Sequence, residues 1–192
     1  MNLSSPVTSI IPSLDGAIVV ALCGVDLPQS LTEIHRLLDR GSLSGVRLVL
    51  QRLVSVGVVL DVPGGYVLNR EHLTAPAISL LAALHGELLK RIRTVVDRWD
   101  GVELVGLFGS AARRDGDEGS DIDIVIVSKT RQPPELVDEL ARQVECWTGN
   151  RADVFALNLD ELHELELADE PLLRSWRNEL VTVVGDSRVL GH

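Results

Sequence analysis

Asp121 and Asp123 are the residues whose type and spacing point most directly to chemistry. They alternate with Ile122 and Ile124 in an apolar run that continues to Val127. On an extended strand, residues two apart project from one face, so both carboxylates stand side by side while the isoleucines turn toward a core. Two carboxylates held together repel unless something cationic lies between them, and a hard divalent ion with oxygen ligands is the simplest candidate. Thirteen residues before Asp121, an apolar run from Val105 to Phe108 ends at Gly109 and Ser110, and Ala111 to Arg114 then read as a short helix. Free backbone N–H groups at such a turn, with the Ser110 hydroxyl, can hold phosphate oxygens, and a glycine lets the phosphate approach the backbone. A metal site and an anion site thus sit within one stretch, Val105 to Val127. On the residues alone, a surface Asp pair at a strand end with no metal stays open.

The wording Leu107-Phe108-Gly109-Ser110-Ala111-Ala112-Arg113, followed by Gly119-Ser120-Asp121-Ile122-Asp123, resembles the signature of the DNA polymerase beta-like nucleotidyltransferase superfamily. It is most similar to the superfamily's minimal nucleotidyltransferase (MNT) members. The family has a third carboxylate on a later strand, and Asp153, within Arg151 to Leu157, stands where it is expected. The resemblance implies two Mg2+ ions on Asp121, Asp123 and Asp153, and ATP or another nucleoside triphosphate as substrate. It implies nucleotide contacts at Gly109, Ser110, Arg113 and Ser120. For Arg113 a solvated helix face is an equal alternative. Arg114 stands where the small members carry Gly, which leaves the next loop's shape open. That loop, Asp115 to Ser120, reads as a solvated segment or as a lid over the nucleotide.

These residues need a scaffold, and length and composition bound it. A chain of 192 residues is one large domain or two small ones. Apolar residues make up 45% but aromatic ones only 3%, so the cores must be built from Leu, Val, Ile and Ala. No apolar run reaches the roughly 18 residues of a membrane span, and the N-terminus lacks the basic start of a signal peptide. Cys23 and Cys146 lie far apart in helical patterns and are expected as free thiols in a reducing cytoplasm. Of the net charge of −10, residues 1 to 75 carry −1 (five Arg against six acids) and the remainder −9 (thirteen Lys or Arg against twenty-two acids). The second half would repel a nucleic-acid backbone, which argues against a polymerase; the first half is neutral enough to touch one.

Along the chain, residues 1–13 read as a lead-in. Helices are expected at Leu14 to Cys23, at Leu31 to Arg40 with Ser30 and Glu33 as a capping box, and at Ser44 to Gly57, started by Ser42 or Ser44. Val58 to Val62 and Tyr66 to Leu68, joined by Pro63-Gly64-Gly65, read as a hairpin. Three helices and a hairpin resemble a winged helix-turn-helix, with Ser44, Arg47, Gln51 and Arg52 as the side chains that would reach DNA. Winged helices also serve as dimerisation or docking modules, and this wing tip lacks Lys and Arg. One or two helices are expected over residues 73–100, linking to residues 101–192, where strands at Val102 to Phe108, Ile122 to Val127 and Asp153 to Leu157 alternate with helices at Pro134 to Trp147 and Glu170 to Glu179, the last leading to a short apolar run, Leu180 to Val184. The first domain is expected at 14–72, with its boundary near 70–76. The fold class is therefore α/β (α+β): a winged helix-turn-helix followed by the mixed sheet of the superfamily. The histidines and Trp147 and Trp176 are assigned to structural roles.

The leading functional expectation is a Mg-dependent enzyme moving a nucleoside monophosphate, AMP from ATP, onto a protein or small-molecule hydroxyl. What the resemblance implies about partners is a helical HEPN-type toxin, with the chain as antitoxin. The alternative is a DNA-binding regulator whose second domain senses nucleotide or forms a homodimer. A protein-binding module with a decayed site is a third reading, which three retained carboxylates oppose. No membrane partner is expected.

Overall fold

The computed structural model describes residues 6–38, 40–113 and 119–191. The chain divides into two compact units, one through Leu84 and one from His85.

In the first unit, α1 (Leu14–Cys23), α2 (Leu31–Leu37) and α3 (Leu43–Ser55) precede a hairpin of β1 (Val59–Val62) and β2 (Gly65–Leu68), and α4 (Ala75–Ala82) follows. The capping box at Ser30 and Glu33 forms in both directions and opens α2, while Ser42, not Ser44, accepts the N-cap bond of α3. The helix α2 stops short of Arg40 because Leu38 already turns extended, at φ −94° and ψ 136°. Ile18 and Leu22 of α1, Ile34 of α2, Val46, Leu50 and Leu53 of α3, Val59, Leu68 and Ile78 pack into one aliphatic core. The segment between α1 and α2 adds a single antiparallel bridge to the hairpin, through paired backbone bonds of 3.0 and 2.9 Å between Gln29 and Tyr66. Expected as one or two helices, residues 73–100 form two, α4 and α5 (Leu84–Val96), separated at Ala83.

The second unit is a mixed sheet with flanking helices. Its strands are β3 (Val102–Phe108), β4 (Ile122–Ser128), β5 (Ala152–Asn158) and β6 (Val181–Gly185), in the order β5-β4-β3-β6. The pairs β3/β4 and β3/β6 are antiparallel and β4/β5 is parallel, joined through α7 (Pro134–Thr148). A short α6 (Gly109–Arg113) lies between β3 and β4, and α8 (Leu159–Leu167) and α9 (Pro171–Glu179) lie between β5 and β6.

Strand alternation sends the two sides of the sheet into two cores. Val105, Leu107, Ile122, Ile124 and Ile126 pack with Leu88, Ile92 and Val96 of α5 and Leu140 and Val144 of α7. Leu104, Phe108, Val125, Val127 and Leu157 pack with Leu162 of α8 and Leu173 and Trp176 of α9. Because both faces are covered, the central strands read as unbroken apolar runs. At the start of β4 the second of these patterns is broken by Asp123, where Val125 and Val127 would lead one to expect another aliphatic side chain.

Candidate functional site

The site grows from a register. In the parallel ladder Asp123 of β4 is paired with Asp153 of β5, and in the antiparallel ladder it is paired with Phe108, the last residue of β3. Side chains of paired residues share a face, so the Asp123 and Asp153 carboxylates project together, and Asp121, two residues earlier, projects with them. The three come from segments 30 residues apart that only the β4/β5 pairing brings side by side. Along the same face of the sheet the rings of Phe108, Phe155 and Trp176 form a cluster, with centroids 5.6 Å, 5.6 Å and 6.5 Å apart. Trp176 is fully buried, in keeping with its expected core role, and Trp147 packs partly buried against the other core with Arg91 over its ring.

Electrostatics follow from this crowding. Partial burial, and then the neighbouring Asp153 and Asp121 carboxylates, push the Asp123 carboxyl above the usual carboxylate range; Arg113 opposes the shift. Gly109 is the other half of the device. It takes the left-handed conformation, φ 64°, and a Cβ there would lie 2.5 Å from Oδ2 of Asp123. A glycine therefore lets the end of β3 turn directly beside the carboxylate, where a side chain would displace the Asp123 oxygen and strain the left-handed backbone.

The expected site residues distribute as follows. Gly109 and Ser110 open α6 at the turn beside Asp123, so the short helix starts two residues earlier than the sequence pattern suggests. The Ser110 hydroxyl makes no hydrogen bond to another described residue. Arg113 ends α6 and pairs with Glu179 at the end of α9, 2.5 Å away. Ser120 directly precedes the first carboxylate, and its carbonyl accepts a bond of 2.9 Å from the side chain of Asn150. Asp153 forms an ion pair of 2.9 Å with Arg151. Sequence reasoning did not single out Glu179, Arg151 or Asn150, since each acts through a partner distant in the chain or was masked by ordinary polar surroundings. The Arg114 departure and most of the Asp115 to Ser120 loop lie outside the described residues.

Among the described residues, no group of three or more His, Cys, Asp or Glu side chains encloses a point where an ion could sit. The donor set nevertheless fits a hard divalent cation: all of its atoms are carboxylate oxygens, they share one face, and burial together with mutual repulsion disfavours the ionised form of Asp123.

In the first unit, Ser44, Arg47, Gln51 and Arg52 are all exposed on α3. They do not form one cationic face. Arg52 pairs with Asp15, and the strip between Arg47 and Arg52 carries Leu48, 69% exposed. An open groove of about 550 Å³ runs there, lined by Leu48, Val49, Gln51, Arg52 and Ser55. Both cysteines are free thiols, and among the described residues no helix is long and apolar enough to cross a membrane.

Comparison with known proteins adds the class. Residues 89–174, from within α5 to within α9, match the family model of the nucleotidyltransferase domain. No curated protein sequence matches the chain. Solved structures similar over about half of it include a toxin-antitoxin with AMP-PNP, 18% identical, covering 53% of this chain and 79% of that one at a TM-score of 0.42. Another is tri-AMPylated Shewanella oneidensis HEPN toxin in complex with MNT antitoxin, 18% identical, covering 54% and 75% at a TM-score of 0.39. A third is the toxin-antitoxin MntA-HepT, 17% identical, covering 54% and 74% at a TM-score of 0.37. The family match spans Asp121, Asp123, Asp153 and the Gly109 turn, so residues 89–174 form a nucleotidyltransferase domain.

Proposed function

We propose that the chain transfers a nucleoside monophosphate, AMP from ATP, to a hydroxyl of a protein or small molecule, using Asp121, Asp123 and Asp153 as the ligands of Mg2+. The observation that carries this reading is the register pairing of Asp123 with Asp153 beside the Gly109 turn. Mg2+ bound there would lower the pKa of the attacking hydroxyl and stabilise charge on the phosphoryl group and the departing pyrophosphate. Gly109 and Ser110 would receive phosphate oxygens at the turn, with Ser120 at the far side of the nucleotide. Asp153, on the neighbouring strand, would face the attacking hydroxyl, with Arg151 paired to its Oδ1 and Oδ2 left to act as ligand or base. Arg113 would steady the triphosphate from the end of α6, where Glu179 holds its guanidinium. The acceptor that the sequence resemblance suggests is a helical HEPN-type toxin, which makes the chain its antitoxin. Calorimetric titration of ATP with Mg2+ into the wild type and into Asp121→Asn/Asp123→Asn tests the site. Binding lost in the double variant supports the reading, and a wild type that neither binds nor labels an acceptor with radioactive ATP ends it.

A second reading, compatible with the first, is that the N-terminal unit is a winged helix that binds DNA and makes the chain a regulator. It is favoured by the order α1-α2-α3-β1-β2 and by the Gln29–Tyr66 bridge, which gives the hairpin a third extended partner. Arg47 and Gln51 on α3 would reach bases, with Ser44 near the phosphates. The same groove beside Leu48 would suit a homodimer. Gel shifts with DNA upstream of the gene, set beside sedimentation of the protein alone, separate the two.

A further inference from the structure

We propose that Asn150 is a positioning residue of the carboxylate site, holding the chain at Asp121 so that its carboxylate stays on the face of Asp123 and Asp153. The proposal rests on the metal-site reading above. The last backbone bond between β4 and β5 at this end runs from the Ile122 N–H to the Arg151 carbonyl, 2.9 Å. Upstream of it the two segments leave the ladder, and Asp121 is exposed. There the Asn150 carboxamide donates to the Ser120 carbonyl at 2.9 Å, so a side chain continues the strand pairing past the point where the backbone stops. Asp121 is thereby fixed from both sides, by the Ser120 carbonyl before it and the Ile122 N–H after it.

Asn150 is itself anchored. It is only 5% exposed, its N–H donates to the Thr148 hydroxyl at 3.2 Å, and that hydroxyl donates to the Val144 carbonyl in the last turn of α7 at 2.7 Å. A buried carboxamide is costly unless hydrogen-bonded, which makes this a specific placement. Asp121 lies beyond the last backbone bond of the β4/β5 ladder, and Asn150 keeps it in place.

The test uses the full chain as wild type, Asn150→Ala, Asn150→Asp and Ser128→Ala. Ser128 is a matched control: fully buried at the opposite end of β4, it donates to the Thr130 carbonyl at 2.8 Å and touches none of the carboxylates. Calorimetric titration of ATP in excess Mg2+ is expected to show binding at least about tenfold weaker in both Asn150 variants, the range for groups that orient a metal's ligands, with Ser128→Ala unchanged. Amide hydrogen exchange over residues 119–123 is expected to rise in Asn150→Ala and not in Ser128→Ala. Asn150→Asp keeps the side-chain volume and is read should the alanine variant melt too early. A wild type that binds while the Asn150 variants match Ser128→Ala in affinity overturns this proposal alone. A wild type that does not bind overturns the metal-site reading and the proposal with it.

Discussion

In the second unit Asp121, Asp123 and Asp153 stand together on one face, and burial and like-charge crowding act on Asp123 beside a left-handed turn at Gly109. The first unit shows the reverse economy of surface: its core is aliphatic and complete, yet Ile10, Leu27, Leu37, Leu48, Val56, Leu73 and Leu80 are each more than half exposed. Among the described residues, Leu167 alone in the second unit shares that condition. Crowded carboxylates with a raised proton affinity are the pattern of a functional-site candidate, whereas apolar side chains scattered on a surface are ordinary unless they form one patch. The difference teaches that the second unit concentrates its chemistry in a few atoms at one end of β4 and β5, while the first spreads its apolar surface over its helices.

The largest expected effect would break this division outright. Asp121→Asn/Asp123→Asn should lower nucleotidyl transfer by at least about a hundredfold, since even groups that merely orient metal ligands cost ten- to a hundredfold. Labelling from ATP measures it, and any DNA binding should be unaltered. Persistent labelling would show that the carboxylates are not the site.

A smaller effect separates close approach from backbone strain. Gly109→Ala should lose at least about tenfold in transfer and melt below Gly149→Ala. Both positions are left-handed, at φ 64° and 73°, but only at Gly109 would the new methyl meet a neighbour, Asp123. The shared strain is about 1–2 kcal/mol. Equal losses in the two variants, read by labelling and thermal melts, would remove the steric role of the turn.

Substitutions on α3 sharpen the other side of the comparison. Arg47→Ala and Gln51→Ala should each weaken a specific DNA complex by about 1–3 kcal/mol and leave transfer unchanged. If gel shifts are unaffected while self-association falls, the exposed apolar face belongs to a protein contact.

The smallest effect is a pH dependence. Asp123 holds its proton more tightly in the folded chain than in the unfolded one, where an Asp titrates near about 3.9. Stability is therefore lost as pH rises through the interval between the unfolded and the raised folded value, and the ionised group remains destabilising above it. Without divalent cations, Asp123→Asn should melt higher than wild type at pH 7, and the gain should vanish in acid. A variant that melts lower at pH 7 would show that the carboxylate contributes more in contacts than it costs in repulsion.

Much of the second unit was legible because its physics is local. The apolar run ending in Gly109-Ser110 and the alternation of Asp121 and Asp123 with isoleucine each follow from period-two geometry, and β3, β4 and β5 lie within one residue of their expected ends, while β6 forms on a stretch expected only as an apolar run. The capping box at Ser30 was readable for the same reason: its two bonds span three residues. The helix to Arg40 was overextended because a propensity pattern does not reveal that Leu38 turns extended. Glu179 escaped notice because its partner Arg113 lies 66 residues away. Arg52, expected to face DNA, pairs with Asp15 across the fold of its own unit.

By itself the sequence determined which residues alternate, where the chain must turn and which side chains are chemically able to bind a cation or a phosphate, because these depend on neighbours a few bonds away. Only the tertiary structure decided that Asp153 stands opposite Asp123, that Gly109 lies against its carboxylate, and that Asn150 holds the segment before Asp121. Those contacts depend on strand order and register, which arise when both faces of the whole sheet are buried at once and have no counterpart in any local pattern.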